Sequence, residues 1–393
     1  MSKLQNFSAL RVLAALAIIL AAAGGAAALW PRPVGPAQAS VVGLAAQGST
    51  AGFARADGPR ELTFPRDHGP HPDFQTEWWY YTGNLQAADG RRFGFQLTFF
   101  RRAALSPGER QARASAWAVE QVYLAHFTVT DAAAGRFWAF ERLERGAAGL
   151  AGAELNGGLR VWLHDWSVEQ TGADRYRLRA LQEGVAVDLE LLDRKGPVLH
   201  GERGYSRKGP EAGNASYYYS QTRLETSGTV QVGGQSFSVT GLSWMDREFS
   251  TSALSQGQVG WNWFALQLDD GSEIMMYTIR RKDGSPDPFS SGTWIDPQGV
   301  PHPLKLEDYQ ITEESTWTSP HSGGKYPAGW RVSVPSLNLS LQVEPLLADQ
   351  ELNLSYSYWE GAVRVTGTRD GGPVAGYGYV ELTGYARSME GGL

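Results

Sequence analysis

The sequence contains no cysteine. That absence excludes a disulfide framework, thiol catalysis, a cysteine-ligated zinc and a lipidated N-terminal cysteine. Methionine is scarce, at 5 residues. Positive charge is not in excess either: 35 Lys and Arg face 41 Asp and Glu, for a net charge of −6. Nucleic acid is therefore not an expected partner, since a basic patch is its usual footprint. No glycine-rich phosphate loop, G-x-S-x-G elbow or dinucleotide fingerprint occurs in a credible context. His68 and His71 are close in sequence, but the glycine and proline between them rule out a helical metal face. No metal and no cofactor is expected. Long helical runs are missing as well, and the most helix-like stretches are short, at 107–114 and 306–314.

What is present is glycine and tryptophan, 47 and 14 residues of them in a chain of 393. That composition predicts an all-β protein, and the length predicts two folded domains. The first residues form an apolar run of about 20 residues without an acid, long enough to cross a bilayer. Residues 1–39 read as a signal peptide or membrane anchor, with an A-x-A site at Ala37 and Ala39. Residues 40–60 read as a linker. Beyond it, short alternating runs are punctuated by turn pairs such as Asp89-Gly90, Gly233-Gly234 and Asp270-Gly271. This pattern predicts two antiparallel β-barrels in tandem, over 61–240 and 241–393. Hairpins rich in Trp, Tyr and Gly recur in both halves and suggest internal duplication. A barrel of that strand number can hold one small ligand.

Three strands carry candidate chemistry. In "TEWWYYT", Glu77, Trp79 and Tyr81 share one face and Trp78 and Tyr80 the other. We expect the first set to line a cavity and the second to pack at a seam between barrels. In "GLSWMDREFS", Trp244, Asp246 and Glu248 share a face, opposite Met245, Arg247 and Phe249. A carboxylate buried among aromatics without a cation becomes a neutral proton donor, while one held by an arginine is a structural ion pair. Asp246 and Glu248 are the catalytic candidates. In "GWNWFALQL", Trp261 and Trp263 face away from Phe264, Leu266 and Leu268. Tyr218 and His126 complete the candidate pocket, although a lone histidine in an apolar strand is also a common core residue.

The segments "FPRDHGPHPDFQTEWWYYTGNL", "GLSWMDREFS", "GWNWFALQLDDGSEIMMY" and "YWEGAVRVTGTRDGGPVAGYGYVELTGY" resemble the AttH/carotenoid 1,2-hydratase family of lipocalin-like proteins. The resemblance runs from about 60 to 388 in the expected order. It implies two lipocalin-like barrels in tandem, with functional residues near their junction. It also implies relatives that hydrate an isoprenoid double bond by protonating it, relatives that shape hydrophobic natural products, and exported members called predicted secreted hydrolases. Residue by residue, the acidic motif falls on Trp244, Asp246 and Glu248. Arg247 stands where similar sequences often carry His, and Phe249 where a second Trp is familiar, which argues against a mechanism needing that histidine. Two functions follow as expectations for an exported, periplasmic or secreted protein. One is an enzyme, a hydro-lyase or hydrolase, that hydrates, hydrolyses or cyclises a lipid-like or isoprenoid-like molecule by acid catalysis. The other is a carrier of such a molecule, working with an ABC-transporter permease and meeting the membrane only through its N-terminal segment.

Overall fold

The glycine turns shape the hairpins. At Asp89-Gly90 the glycine takes φ +88°, and at Gly233-Gly234 both residues take positive φ, a region glycine enters without a Cβ penalty. The structure is a computed structural model that describes residues 49–110, 120–252 and 254–390. The expected signal or anchor segment, 1–39, lies outside these residues.

Among the described residues the strands form two antiparallel sheets, of 13 and 10 strands. In the first, Thr76–Ala87 pairs with Arg92–Ala103 on one side and with Gln235–Ser250, distant in sequence, on the other. In the second, Gln258–Leu268 pairs in the same way with Glu273–Arg281 and Gly372–Leu382. Each sheet also opens at the equivalent place, after its fourth strand. The edges are Arg136–Arg145 and Ala151–Leu155 in the first, Pro301–Lys305 and Gln310–Thr318 in the second. The halves therefore share one topology, as a duplication would produce. Both sheets are barrel-like, one nearly closed and the other a half-barrel.

Side chains fill both interiors. Phe93, Phe95, Leu97 and Phe99 are wholly buried in the first, and Phe264, Leu266, Val332 and Val363 in the second. A third apolar cluster, with Tyr80, Tyr218, Trp244, Trp263 and Ile279, lies between the two sheets. The backbones approach closely there: a Cβ on Gly94 would stand 2.5 Å from that of Ala362. Polar clamps join the halves. Glu273 receives Lys195 at 2.8 Å and Arg223, while Asn84 Nδ2 donates to the Gly378 carbonyl at 2.9 Å.

Three expectations need correction. The strand Gln235–Ser250 belongs wholly to the first sheet, so the boundary falls after Ser250 rather than at 240/241. The segment up to residue 60 is not a free linker over its described part: Ala56 is buried in the first core, and the Arg60 guanidinium stacks on Tyr217 at 4.6 Å. The stretch 306–314 is a 3-10 turn, Leu306–Asp308, followed by the strand Gln310–Thr318. That strand is an exposed sheet edge, where charged side chains discourage further pairing. The stretch 107–114 begins with a 3-10 turn at Pro107–Glu109, and its remainder from 111 lies outside the described residues.

Candidate active site

Strand alternation sorts the acidic motif into two environments. Met245 and Phe249 point into the first barrel's core, and Arg247 goes with them. Arg247 lies 4.0 Å over the Trp79 ring and is ion-paired with Glu77, which also receives Arg101. Burial alone would raise the Glu77 carboxyl, but the two guanidiniums outweigh it and hold the group far below the usual range. Trp244, Asp246 and Glu248 take the opposite face, toward the second sheet.

There Asp246 and Glu248 meet a pocket of about 140 Å³ between the outer faces of the two sheets. Asp246 and Glu248 line it from the first sheet, Trp261 and Trp263 from the second. Register brings the neighbouring rings into place: Tyr80 sits across from Asp246, Trp78 and Tyr218 across from Glu248, and Tyr277 across from Trp263. The Tyr80 and Trp263 rings meet edge to face at 5.3 Å, and Trp244 and Trp263 at 6.4 Å.

Asp246 is held by donors alone. Its Oδ1 accepts from the Trp244 indole at 2.6 Å and from Ser220, and its Oδ2 accepts from the Tyr218 hydroxyl at 2.6 Å. No ion pair to it is formed among the described residues. Burial pushes its carboxyl up to about 7, against the pull of those three hydrogen bonds, with nearby Glu248 adding to the rise. Behind Ser220, His200 Nε2 lies 2.6 Å from the serine oxygen and Nδ1 lies 2.9 Å from Thr293 Oγ1. Burial, aided by Lys208, lowers His200 to about 3, so the ring is neutral; with its hydrogen on Nε2 it donates to Ser220, whose own hydrogen goes to Asp246. Glu248 is different, since Lys208 Nζ pairs with it at 3.3 Å. Lys208 also lies 4.2 Å over the Tyr277 ring.

The second sheet contributes two more acids. Glu360 and Glu381 stand directly opposite each other on neighbouring strands, and both line the cavity. Tyr80 donates to Glu360 Oε1, and Gln96 Nε2 donates to Oε2 at 2.8 Å. Burial raises the Glu360 carboxyl well above the carboxylate range, and Glu381 adds to it. Burial likewise carries Glu381 up to about 8, against a hydrogen bond from Trp261. Like charges face to face cannot both ionise cheaply, so this wall holds protons at neutral pH.

Of the residues expected from sequence, the structure gathers Asp246, Glu248, Tyr218, Trp261 and Trp263 on the cavity wall, with Trp244 bonded to Asp246 from behind. It places Glu77, Trp79 and Tyr81 inside the first barrel instead, because the arginine pair draws Glu77 to that face. Their neighbours Trp78 and Tyr80 line the cavity. His126 is wholly buried and does not line it; its ring bonds Tyr358 and Glu141. Glu360, Glu381 and Lys208 were not singled out by sequence, and Tyr80 was expected only to pack at the seam between barrels. The one local hint at the first two was a carboxylate set among aromatics in "YWEG" and "GYVEL".

The AttH-like family profile matches residues 55–385. Among solved structures, one described as an AttH protein of Nitrosomonas europaea is 38% identical, with a TM-score of 0.74; the match covers 84% of this chain and 100% of that one. Kievitone hydratase from Nectria haematococca matches with a TM-score of 0.65 at 14% identity, over 86% of this chain and 98% of that one. CghA with Sch210972 matches at 0.51 and 12%, over the same shares of 86% and 98%. These last two likenesses show the fold alone. No curated protein sequence matches.

Proposed function

The chain belongs to the AttH-like family, and from that premise and the cavity we propose that it is an enzyme adding water to, or cyclising, a hydrophobic isoprenoid- or lipid-like molecule by acid catalysis. The observation that carries the reading is Asp246: a buried carboxyl with no ion-pair partner among the described residues, facing a ring-lined cavity and protonated up to about pH 7. A hydratase with this fold, kievitone hydratase, gives the reading support by analogy.

In the hydration step, Asp246 gives its proton to one carbon of a double bond, and the adjacent carbon becomes cationic. The indole faces of Trp261 and Trp263 stabilise that charge. Water attacks the cation through oxygen and loses a proton to Glu248, whose charge Lys208 balances. One proton enters the product and one leaves the water, so the cycle closes when Glu248 returns its proton to Asp246. In a cyclisation a second double bond takes the place of water. We place the reaction in an exported protein, the location its first residues are expected to give.

The test is to incubate the protein with lipid extracts of the cell envelope and follow products by mass spectrometry. The reading requires a product heavier by one water, or an isomer, that Asp246→Asn does not make. A ligand that binds equally well to both forms and returns unchanged would instead identify a carrier.

A further inference from the structure

Lys208 shows how the pocket holds a positive charge. Its Nζ lies 4.2 Å from the centre of the Tyr277 ring and 5.1 Å from that of Tyr218, and it pairs with Glu248 at 3.3 Å. Two rings and one carboxylate are thus enough to keep an ammonium whose side chain is only 19% exposed. Burial works against that charge, but Glu248 and Tyr277 outweigh burial and raise the group above its ordinary value. Among the described residues Lys208 is the one lysine or arginine on the pocket wall.

Further along the wall the same kinds of group stand without a cation. Asp246, Glu360 and Glu381 all line the pocket, and none has an ion-pair partner among the described residues. Asp246 is held by Trp244, Ser220 and Tyr218, and Glu360 by Tyr80 and Gln96, every one of them an uncharged donor. The rings of Trp78, Trp261 and Trp263 border the same space. These carboxyls and Glu248 therefore share one lysine, and protons make up the difference: burial carries Asp246 up to about 7 and Glu381 up to about 8. The Tyr80, Tyr218 and Tyr356 hydroxyls beside them are pushed well above their ordinary range and stay neutral. A proton is not the only cation that serves. A fixed positive charge within about 4–6 Å of a carboxyl favours its ionised form, and aromatic walls take a methylated ammonium in place of water.

We propose that the pocket, between Asp246 and the facing pair Glu360 and Glu381, binds an organic ammonium: a tertiary or quaternary amine with no negative charge of its own. Its methyl groups pack on Trp261 and Trp263, and its charge is met by the carboxyls, which attract it without a donated N–H. As it enters, a carboxyl proton leaves to solvent, so the charge in the pocket is unchanged and no covalent bond to the ligand forms. A primary ammonium fits less well, because it is strongly hydrated and the indole rings offer its N–H groups no lone pair. The site deepens the acid-catalysed reading and rests on it for its use. The cation formed by protonating a double bond carries the same charge in the same place, so an ammonium fills the pocket as a stable likeness of it.

Choline and its uncharged likeness, an alcohol in which a tert-butyl group replaces the trimethylammonium, differ in that charge alone. Calorimetric titration of the full chain with each, at pH 6 and pH 8, reads the preference. Choline is expected to bind at least about tenfold tighter than the alcohol at pH 8. At pH 6, below the values of Asp246 and Glu381, it should release close to one proton, counted from the heats in buffers of different ionisation enthalpy. Its affinity should rise with pH between the two, since the carboxyl it needs then ionises more easily, while that of the alcohol stays level. Glu381→Gln should weaken choline severalfold and leave the alcohol alone; the unaltered protein decides the question should that variant not fold. Phosphocholine, with the same cation and an added phosphate, should bind at least about tenfold more weakly than choline. Equal binding would admit zwitterionic lipid headgroups and overturn the requirement for a ligand without negative charge. Equal affinity for choline and the alcohol, or choline binding without proton release, overturns the site. Neither result decides turnover: the pocket can reject choline while Asp246→Asn still abolishes the product, and can bind it while Asp246→Asn still makes the product.

Discussion

Trp244 and Asp246 stand two positions apart on one strand, and the indole nitrogen of the first donates to the carboxyl of the second at 2.6 Å. The bond orients the acid with one oxygen fixed, while the neighbouring indole of Trp263 stands edge-on to Trp244. Asp246→Asn keeps the shape and removes the proton. Turnover of the substrate should fall by about 10² to 10⁴-fold, the usual worth of a positioned general acid, with little change in binding. The ratio of kcat to KM for the two proteins checks this.

Stability should depend on pH through the same residue. The folded state holds the Asp246 proton up to about 7, against 3.8 for the ordinary group, so it binds more protons than the unfolded chain between those values. This contribution is full below about 4 and is lost as pH rises to about 7, by about 4 kcal/mol for a shift of this size. In Asp246→Asn the fall of Tm between pH 4 and 8 should flatten. An equal slope in both proteins would contradict it.

Glu77 should matter for folding and not for the cavity. Replacing it with glutamine leaves the Arg101 and Arg247 guanidiniums buried without their shared charge, at a cost of about 3–5 kcal/mol. Urea unfolding measures the loss. The titration of the cavity carboxyls should stay where it is, because Glu77 lies on the other face of the sheet.

Trp263 joins the two walls: its indole donates to the Tyr218 hydroxyl at 3.0 Å, which itself donates to Asp246. Trp263→Phe removes that bond and weakens the ring face offered to a developing cation. A cation–π contact is worth about 0.5–2 kcal/mol, so kcat should drop roughly two- to thirtyfold while the fold is kept. Circular dichroism and single-turnover rates separate the two effects.

Much of the fold was legible because alternation and glycine turns are local. The Trp244/Asp246/Glu248 face and the Trp261/Trp263 face both follow from a period of two. Which face of "TEWWYYT" meets the cavity was not legible, since both faces are buried and periodicity alone does not rank them. The deciding contact, Arg247 on Glu77, joins strands far apart in sequence. The same distance hides Glu360 and Glu381, which become a pair only once their strands fold back on each other. The cavity's place between sheets depends on how two barrels pack, and no local pattern encodes that.

Infrared titration of the unliganded protein tests the central claim most directly. The difference between wild type and Asp246→Asn isolates one carboxyl band, and the account predicts that it belongs to a protonated acid that loses its proton with a midpoint near 7. A group already ionised at pH 5 would mean that Asp246 is an ordinary carboxylate, with no proton to give in the cavity.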